Sequence, residues 1–407
     1  MPVAFRTGGR LVVAAEPVEV VAASGHAAFE TLERLTPGWW AGYLAYDLGR
    51  AVEPVSPRLA EDVDLPNLLL ARYDARALVG PDGLRVEGSR PARRRLQSLV
   101  DSARPPTSVE PCGRPTSSSS RPAYEEGVRE IIELIEAGDC YQVNLTRRIT
   151  WPGAPDPISL SASVRCANPA PHESVLVLPR RDGSPIALVS ASPERFLSWR
   201  ATQLETRPIK GTATAAAGLR ASAKDRAENV MIVDLARNDL GRCCEFGSVH
   251  VPALCAVERH PGLYHLVSTV RGRRRADLGP SDVIRAAFPP ASVTGAPKPR
   301  VLQAIEDLEA CRRGVYCGAI GWIDTERDQG DLAVAIRTFT IADGQTHLGT
   351  GAGIVADSDP TQEWRETQLK VARLARLVPD RTSSSRRGPA RRAAPLLGSR
   401  QPGPRTA

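Results

Sequence analysis

Apolar residues recur along this chain with the period of an α-helix in some stretches and in runs of strand length in others. Val128, Ile131, Ile132 and Ile135 fall at positions i, i+3, i+4 and i+7, so they share one face of a helix. This pattern predicts an amphipathic helix over 124–137. Periodicity and capping residues predict further helices over 224–236, 301–310 and 359–378.

Short apolar runs bounded by turn residues predict strands in the rest of the chain. Asp182-Gly183 lies between two such runs and predicts a hairpin. The first 100 residues are predicted to form short strands and turns, with the aromatic residues of the stretch 38–50 in the core. The predicted strands cover 11–15, 68–73, 141–150, 176–178, 186–190, 318–323, 332–341 and 347–355.

Composition divides the chain into four segments. Residues 101–122 contain five prolines and six serines and almost no apolar side chains, which predicts a flexible linker. Residues 381–407 are rich in Ser, Pro, Gly and Arg, which predicts a disordered basic tail. The linker and the tail leave an N-terminal region, 1–100, and a larger folded region, 123–380.

The formal net charge of +7 comes from the C-terminal tail. After Asp380 the chain has seven arginines and no acidic residue, so the remainder is formally neutral. A neutral body predicts no nucleic-acid and no membrane partner, although a basic tail that binds either one is an alternative. The eight cysteines form no C-x-x-C pair and the N-terminus lacks a signal-peptide core, which predicts free thiols and a cytoplasmic protein.

One short stretch, 207–212, places Lys210 after a stiff Pro-Ile pair and before a glycine. Glu194 lies 16 residues before this lysine, and Glu228 lies 18 residues after it. An amine between two carboxylates suits a site where a nucleophile, a general acid and a metal ligand act together. A lysine in a loop is more often a solvated charge, so the spacing alone leaves that alternative open.

Further motifs accompany this stretch in a fixed order between about 120 and 378. They lie at 138–145, 192–197, 207–212, 227–242, 265–268, 288–298, 336–338, 351–355 and 363–367. In their residues and their order these motifs resemble the chorismate-utilising enzymes of the anthranilate synthase component I family.

The resemblance implies an α+β fold, with two interleaved β-sheet-and-helix halves around a central chorismate cleft. It makes 123–380 the chorismate-binding catalytic domain and 1–100 the N-terminal region of the same fold. Lys210 narrows the expected activity, because aminodeoxychorismate synthases have lysine at this position and anthranilate synthases typically have alanine. The expected reaction is Mg²⁺-dependent amination of chorismate at C4, for 4-aminobenzoate and folate synthesis. The alternative is anthranilate synthase component I, which aminates C2 and releases pyruvate.

The resemblance also implies a role for each matching residue. Lys210 is the expected nucleophile or, alternatively, a charge that pairs with a substrate carboxylate, and Glu194 is the expected general acid. Glu228 and Glu366 are the expected Mg²⁺ ligands, with Glu363 assisting through water. The expected substrate-binding residues are Gln142, Thr212, His265, Thr294, Arg337, Gly351, Gly353 and Lys370.

Two features concern the nitrogen source. Isochorismate and salicylate synthases have a lysine at the position of Gln142 to activate water, so glutamine favours ammonia. The chain has no Gly-x-Cys-x-Gly elbow with a downstream histidine, so a separate glutamine amidotransferase subunit is the implied source of ammonia.

The polar run 234–239 has a catalytic composition, but we interpret it as a buried network that supports the helix of Glu228.

Overall fold

A computed structural model describes residues 1–213, 215–260 and 263–381, which form two large β-sheets surrounded by helices. The predicted basic tail lies outside the described residues, apart from Arg381. The helices are α1 (His26–Glu33), α2 (Arg90–Asp101), α3 (Arg121–Glu136), α4 (Pro157–Ala167), α5 (Ala216–Ala221), α6 (Ala223–Gly241), α7 (Pro280–Ala287), α8 (Lys298–Leu308) and α9 (Pro360–Ala375). The strands are β1 (Val3–Thr7), β2 (Arg10–Ala14), β3 (Glu19–Ala23), β4 (Trp39–Leu44), β5 (Leu68–Tyr73), β6 (Ala75–Gly80), β7 (Gly83–Gly88), β8 (Thr116–Ser117), β9 (Gln142–Pro152), β10 (His172–Pro179), β11 (Pro185–Ser192), β12 (Arg195–Arg200), β13 (Gln203–Arg207), β14 (Ile209–Ala213), β15 (His250–His260), β16 (Leu263–Arg273), β17 (Gly295–Ala296), β18 (Ala319–Asp324), β19 (Gln329–Val334), β20 (Thr338–Ala342) and β21 (Gln345–Ile354).

The two sheets draw their strands from both ends of the chain. The first sheet has the order β17-β9-β21-β20-β11-β10-β1-β2-β6-β7, with β8 also paired to β9. The second has the order β14-β16-β13-β12-β19-β18-β4-β5-β3, with β15 also paired to β16. Strands from the first 100 residues therefore extend both sheets, and the predicted α+β fold with interleaved halves is confirmed.

Aromatic side chains fill the space where the two sheets face each other. Phe5 of the first sheet and Trp39 of the second have ring centroids 6.3 Å apart, and Trp39 stacks on Trp322 at 6.4 Å. Trp40 and Tyr43 of the same strand as Trp39 are fully buried. The prediction that the aromatic residues of this stretch belong to the core is confirmed, and their burial is a major favourable term for the fold.

The first 100 residues contain two helices that the sequence pattern did not predict. In α2 only Ala92 and Leu96 are buried, and arginines occupy four of its eight exposed positions. Such a short apolar stripe gives a weak periodic signal, so the expectation of strands and turns was wrong for α1 and α2.

The predicted strand 332–341 is also divided in two. Strand β19 ends at Val334 in the second sheet, and β20 begins at Thr338 in the first. Between them Arg337 has a φ of +52°, a left-handed conformation that ends the extended strand. The chain thus passes from one sheet to the other at Arg337.

The segment 101–122 runs along the first sheet. The amide of Cys112 donates to the carbonyl of Pro379 at 2.8 Å, β8 pairs with β9, and Ser120 caps α3. Its flexibility, and the division into domains at its two ends, stay predictions. Among the described residues, no helix combines the length and the apolar character needed to cross a membrane.

Candidate active site

A cleft of about 1720 Å³, counted to its open mouth, is lined by residues of β14, β21, α6 and α9. It brings together residues that are up to 230 positions apart in the chain, from Asn144 to Leu374. Ten of the 13 predicted site residues line it, namely Glu194, Lys210, Glu228, His265, Arg337, Gly351, Gly353, Glu363, Glu366 and Lys370.

Glycines on both sides of Lys210 allow its side chain to lie where it does. Gly211 has a φ of +77°, and a Cβ atom there would lie 2.9 Å from Cγ of Asp225 on α6. The missing side chain therefore lets α6 approach β14 closely. A Cβ on Gly353 of β21 would lie 3.2 Å from Nζ of Lys210 and 3.1 Å from Nε2 of Gln142. The amine of Lys210 thus lies beside the Gln142 amide on the floor of the cleft.

The environment of Lys210 favours its neutral form more than water does. Burial lowers the pKa of Lys210, while the negative charge of Glu228 acts in the opposite direction. Lys370 lowers it further, and Glu194 raises it. A lysine must lose its proton before it can attack an electrophile, so this lowered pKa suits a nucleophile.

Glu194 lies in the short connection between β11 and β12 and is only 4% exposed. Burial raises its pKa to about 7, although hydrogen bonds from the Ser292 hydroxyl and the Ile209 amide, and the charge of Lys210, act against this rise. Its carbonyl accepts from the amide of Val334 at 3.0 Å, which fixes the backbone at this point. A carboxyl group that keeps its proton near neutral pH can act as a general acid.

Three carboxylates occupy the part of the cleft formed by α6 and α9. Glu228 lies 3.9 Å from Nζ of Lys224 on the preceding turn of α6. Glu363 accepts a hydrogen bond from Ser358 at 2.7 Å, and burial raises its pKa. Burial would also raise the pKa of Glu366, but the charge and hydrogen bond of Lys370 hold it below its ordinary value.

The donor chemistry of these three residues fits a hard divalent cation. Carboxylate oxygens are the ligands that Mg²⁺ takes from proteins, and it usually keeps several waters or substrate oxygens in addition. Within 1–213, 215–260 and 263–381, no group of three His, Cys, Asp or Glu side chains lies closely enough together to hold a metal ion by itself.

A second part of the cleft is suited to an anion. Arg337 lines it, and within the described part of the chain its guanidinium makes no ion pair. Burial lowers the pKa of Arg337, as expected for a cation without a carboxylate partner. His265 stands beside it with a pKa lowered to about 4 by burial and by Arg337, so the imidazole is neutral at pH 7. A bound carboxylate would give Arg337 the missing partner.

The glycines of β21 form part of the wall of the cleft. Gly349, Gly351 and Gly353 alternate along the strand, and all three line the cleft. A Cβ on Gly349 would lie 2.2 Å from the ring of Tyr316, and a Cβ on Gly353 would lie 3.2 Å from Nζ of Lys210, so a side chain at either position would displace these groups. The carbonyl of Gly351 accepts a hydrogen bond from Lys370 at 3.0 Å, which ties α9 to this floor.

The comparison with known proteins agrees with this geometry. The sequence profile of a family described as chorismate binding enzyme matches residues 5–376. The chain belongs to this family. It is 39% identical over 348 residues to aminodeoxychorismate synthase component 1 of Klebsiella aerogenes, a match that covers 82% of this chain and 75% of that protein. It is 35% identical over 372 residues to an anthranilate synthase component 1 of Haloarcula marismortui, covering 83% of this chain and 75% of the relative.

Solved structures of the chorismate-binding family have the same fold. Anthranilate synthase component I from Streptococcus pneumoniae superposes with a TM-score of 0.78 at 25% identity, over 90% of this chain and 92% of that one. A menaquinone-specific isochorismate synthase from Escherichia coli superposes with a TM-score of 0.72 at 19% identity, over 93% and 88% of the two chains. At 19% identity, the similarity to the isochorismate synthase supports a common fold and nothing further.

Of the other three residues predicted from the family motifs, two are buried outside the cleft lining and the third is only partly described. Gln142 lies below it, fully buried, and neither atom of its amide has a hydrogen-bond partner among the described residues. Thr294 is also buried, and its hydroxyl donates to the carbonyl of Pro290 at 2.8 Å, so it stabilises its own loop. The backbone of Thr212 pairs with His265, but its side chain lies outside what the structure describes.

Several residues that line the cleft were not predicted from the sequence. Ser292 donates to Glu194 from the loop before β17, and Lys224 comes from the first turn of α6. Tyr316 rests on Gly349, where a Cβ would lie 2.2 Å from its ring. Asn144 lines the cleft and donates to the carbonyl of Val293 at 3.0 Å. Ser292 lies within the motif 288–298 and Asn144 within 138–145, so the family motifs contained a signal for these two.

The polar network expected over 234–239 is only partly present. Asp234 and Arg237 form an exposed ion pair at 2.9 Å on the outer face of α6, so they do not belong to a buried network. Asn238 is exposed as well. Asp239 alone is buried, with Nζ of Lys298 at 2.8 Å. Helical periodicity explains the correction, because the inward positions of α6 alternate with outward ones every three to four residues.

Proposed function

We propose that this chain is the chorismate-aminating component of an aminodeoxychorismate synthase, and that it serves 4-aminobenzoate and folate synthesis. It converts chorismate and ammonia into 4-amino-4-deoxychorismate and water. The observation that supports this best is the position of Lys210, buried in the cleft between a proton-holding Glu194 and the unpartnered amide of Gln142. The similarity to aminodeoxychorismate synthase component 1 of Klebsiella aerogenes and Escherichia coli supports the same substrate.

The charges of the cleft suit a dianionic substrate. Arg337 binds the enolpyruvyl carboxylate, because its guanidinium is buried and without an ion pair in the described part of the chain. The ring then lies in the cleft near the glycines of β21, beside Tyr316 and Lys210. The ring carboxylate points to the carboxylates and lysines of α6 and α9.

The first half of the reaction releases water. The neutral amine of Lys210 attacks C2 of the ring, the two ring double bonds shift, and the C4–O bond breaks. Glu194 gives its proton to the departing oxygen, which leaves as water. A pKa of about 7 keeps a large fraction of Glu194 protonated for this step.

The second half restores the enzyme. Ammonia attacks C4, the double bonds shift back, and the bond between C2 and the Lys210 nitrogen breaks. Lysine leaves as a neutral amine, and the new ammonium group returns a proton to the Glu194 carboxylate. Atoms and protons then balance as chorismate plus ammonia giving aminodeoxychorismate plus water.

Glu228 and Glu366, with Glu363 assisting through water, are the residues that would hold Mg²⁺. The bound ion would supply positive charge against the ring carboxylate and so favour electron flow within the ring. The state of Glu366 supports the assignment, since the charge and hydrogen bond of Lys370 hold its pKa below the ordinary value and keep this carboxylate ionised.

Gln142 supports ammonia rather than water as the second reactant. Its buried amide offers a donor and an acceptor without partners among the described residues, and it lies next to the Lys210 amine. Ammonia can both donate to and accept from such an amide. The source is a glutamine amidotransferase subunit, in line with the name component 1 given to the relatives.

Anthranilate synthase component I is the second candidate. Relatives of that name match this chain at 35% identity, and one solved structure superposes over 90% of it. Such an enzyme aminates C2 directly and has no use for a lysine that reaches the same carbon. The position of Lys210 therefore favours the first candidate.

The decisive experiment is incubation of the protein with chorismate, Mg²⁺ and ammonia, followed by mass analysis of the products. Aminodeoxychorismate retains the enolpyruvyl group, and its appearance would support the proposal. Anthranilate with pyruvate would select the second candidate, and unchanged chorismate under all three additions would contradict both.

A further inference from the structure

A buried cluster of three polar residues joins α6 to the strands behind the cleft. Asn229, which directly follows Glu228, is fully buried. Its Nδ2 atom donates to the carbonyl of Leu266 at 3.1 Å, and its Oδ1 atom accepts from the hydroxyl of Ser268. The thiol of Cys255 reaches the same Oδ1 atom at 3.5 Å. One side chain thus links α6 to β16 at two points and to β15 at a third.

Strand β15 is distorted where this cluster forms. Its register with β16 shifts between Ala253 and Ala256, and Cys255 within this bulge has a φ of +52°. The amide of Cys255 leaves the usual ladder and donates to the Ser268 hydroxyl at 2.8 Å. The Ser268 hydroxyl therefore accepts one hydrogen bond, from Cys255, and donates another, to Asn229.

Strand β16 also determines where Lys210 lies. Leu266 pairs with Lys210 across the ladder, and the amide of Ser268 donates to the carbonyl of Pro208 at 3.1 Å. The two residues of β16 that bind Asn229 therefore also contact the strand of Lys210, together with their neighbours in the ladder. A single short path of hydrogen bonds connects the backbone next to Glu228 with the backbone of the lysine.

We propose that Asn229 is a positioning residue, which holds the Glu228 carboxylate in register with Lys210 by binding Leu266 and Ser268. This inference rests on the proposed function, in which Glu228 is a metal ligand and Lys210 a nucleophile. Helix α6 begins only a few residues earlier, at Ala223, and within the described part of the chain the Glu228 carboxylate forms a single ion pair, at 3.9 Å to Lys224. The side chain of Asn229 is therefore the nearest buried anchor for this part of the helix.

The chemistry requires such an anchor. Partners of metal-binding side chains typically change metal affinity by about 10- to 100-fold when they are removed. Displacement of a reacting group by about 1 Å can cost about 100-fold in rate. Asn229 affects both the metal affinity and the reaction rate, because it fixes the position of Glu228 relative to Lys210.

The test compares Asn229→Ala and Ser268→Ala with a matched control. Asn238→Ala removes an exposed asparagine from the same helix, far from the strands. Ser268→Thr keeps the hydroxyl and tests whether its hydrogen bond, rather than the exact side chain, matters. Mg²⁺ binding is measured by calorimetric titration, and the rate of Lys210 adduct formation is followed by intact mass with chorismate and saturating Mg²⁺ in the absence of ammonia.

We expect Asn229→Ala to bind Mg²⁺ about 10-fold more weakly or worse, and to form the adduct about 10-fold more slowly even at saturating metal. Ser268→Ala should show a smaller loss in both, while Ser268→Thr and Asn238→Ala behave as the wild type. Wild-type metal binding and adduct rate in Asn229→Ala would overturn the inference.

Loss of folding in Asn229→Ala does not remove the test, since Ser268→Ala retains the bond to Leu266 and is then the deciding variant. If it unfolds cooperatively like the wild type but binds Mg²⁺ and forms adduct normally, the cluster has only a structural role and the inference is wrong. Absence of any adduct in the wild type would contradict the proposed role of Lys210. The metal titrations would still decide the role of Asn229.

Discussion

The Nζ atom of Lys370 lies 2.6 Å from Oε1 of Glu366, one turn earlier on α9. The same amine donates to Gly351 of β21 at 3.0 Å. A carboxylate proposed to bind a metal is thus neutralised by a lysine, so a metal ion must compete with this lysine for Glu366. A substrate carboxylate that binds Lys370 would relieve the competition.

Replacement of Lys370 should therefore separate metal binding from substrate binding. In Lys370→Met we expect tighter binding of Mg²⁺ without substrate, because the competing charge is gone, and a KM for chorismate at least about 10-fold higher, because a carboxylate partner is lost. Calorimetric titration with Mg²⁺ and steady-state kinetics measure the two effects. Weaker metal binding in this variant would show that Lys370 supports the site instead of competing with it.

Glu228→Gln and Glu366→Gln should each abolish activity while the protein remains folded. The amide keeps the size of the side chain but removes the charge that a hard cation requires. Turnover and circular dichroism are measured together, with the exposed Glu136→Gln as a control. Normal turnover in either variant at low Mg²⁺ would contradict the assignment of ligands.

The raised pKa of Glu194 predicts a specific pH dependence. As pH increases through about 7 the carboxyl loses the proton needed by the leaving hydroxyl, so kcat/KM should fall over this range. In Glu194→Gln the fall of kcat/KM near pH 7 should disappear, and activity should drop by about 10²- to 10⁴-fold. If kcat/KM of the variant still falls near pH 7, the titration of another group causes the fall.

The same shift affects stability. The folded protein holds the Glu194 proton more tightly than the unfolded chain, because the pKa is about 7 rather than 4.5. Its contribution to the free energy of unfolding is complete below pH 4.5 and is lost as pH rises through about 7. The Glu194→Gln variant should lack this part of the pH dependence, which denaturant titrations at several pH values measure.

Much of the cleft could be predicted because its residues follow helical periods or belong to long motifs. Glu363, Glu366 and Lys370 are spaced to share a face of α9, and the cleft lies on that face. Arg337 was predicted from the family motif at 336–338. Its position depends on a strand break with a φ of +52°, which apolar periodicity does not reveal.

Other features depend on contacts between distant segments. The hydroxyl of Thr294 donates to the carbonyl of Pro290, whereas the hydroxyl of Ser292 donates to Glu194, although both residues belong to one motif. Which of two neighbouring hydroxyls faces a cleft is decided by the backbone of the loop. The cluster around Asn229 likewise needs the bulge of β15, and two strands far along the chain must meet before it exists.

The chain should need a partner to use glutamine. The chain has no Gly-x-Cys-x-Gly elbow of a glutaminase. Six of its eight cysteines are also buried, which is unsuited to a nucleophile that must reach glutamine, whereas Cys166 is exposed and Cys311 is half-buried. We expect full activity with ammonia and none with glutamine until an amidotransferase subunit is added. Glutamine-dependent turnover by the purified chain alone, insensitive to removal of contaminating proteins, would overturn the expectation.

The last prediction is that Lys210 forms a covalent bond to the substrate ring. Attack at C2 with loss of water adds the mass of chorismate minus water, and the adduct should accumulate when ammonia is withheld and vanish when it is added. Lys210→Ala should form no adduct and lose about 10²-fold or more of its aminodeoxychorismate production. Intact-mass spectra and product analysis of both proteins measure this.

A charge-only role for Lys210 gives a different result, which makes the experiment decisive. A lysine that merely pairs with a carboxylate would be replaced in part by arginine, and Lys210→Arg would then keep substantial activity without any adduct. A nucleophile cannot be replaced in this way, because a guanidinium stays protonated at neutral pH. Full activity in Lys210→Ala, or spectra without adduct during ammonia starvation, would remove the nucleophilic role. Direct attack by ammonia, as in the anthranilate-forming relatives, would then be the better account of the site.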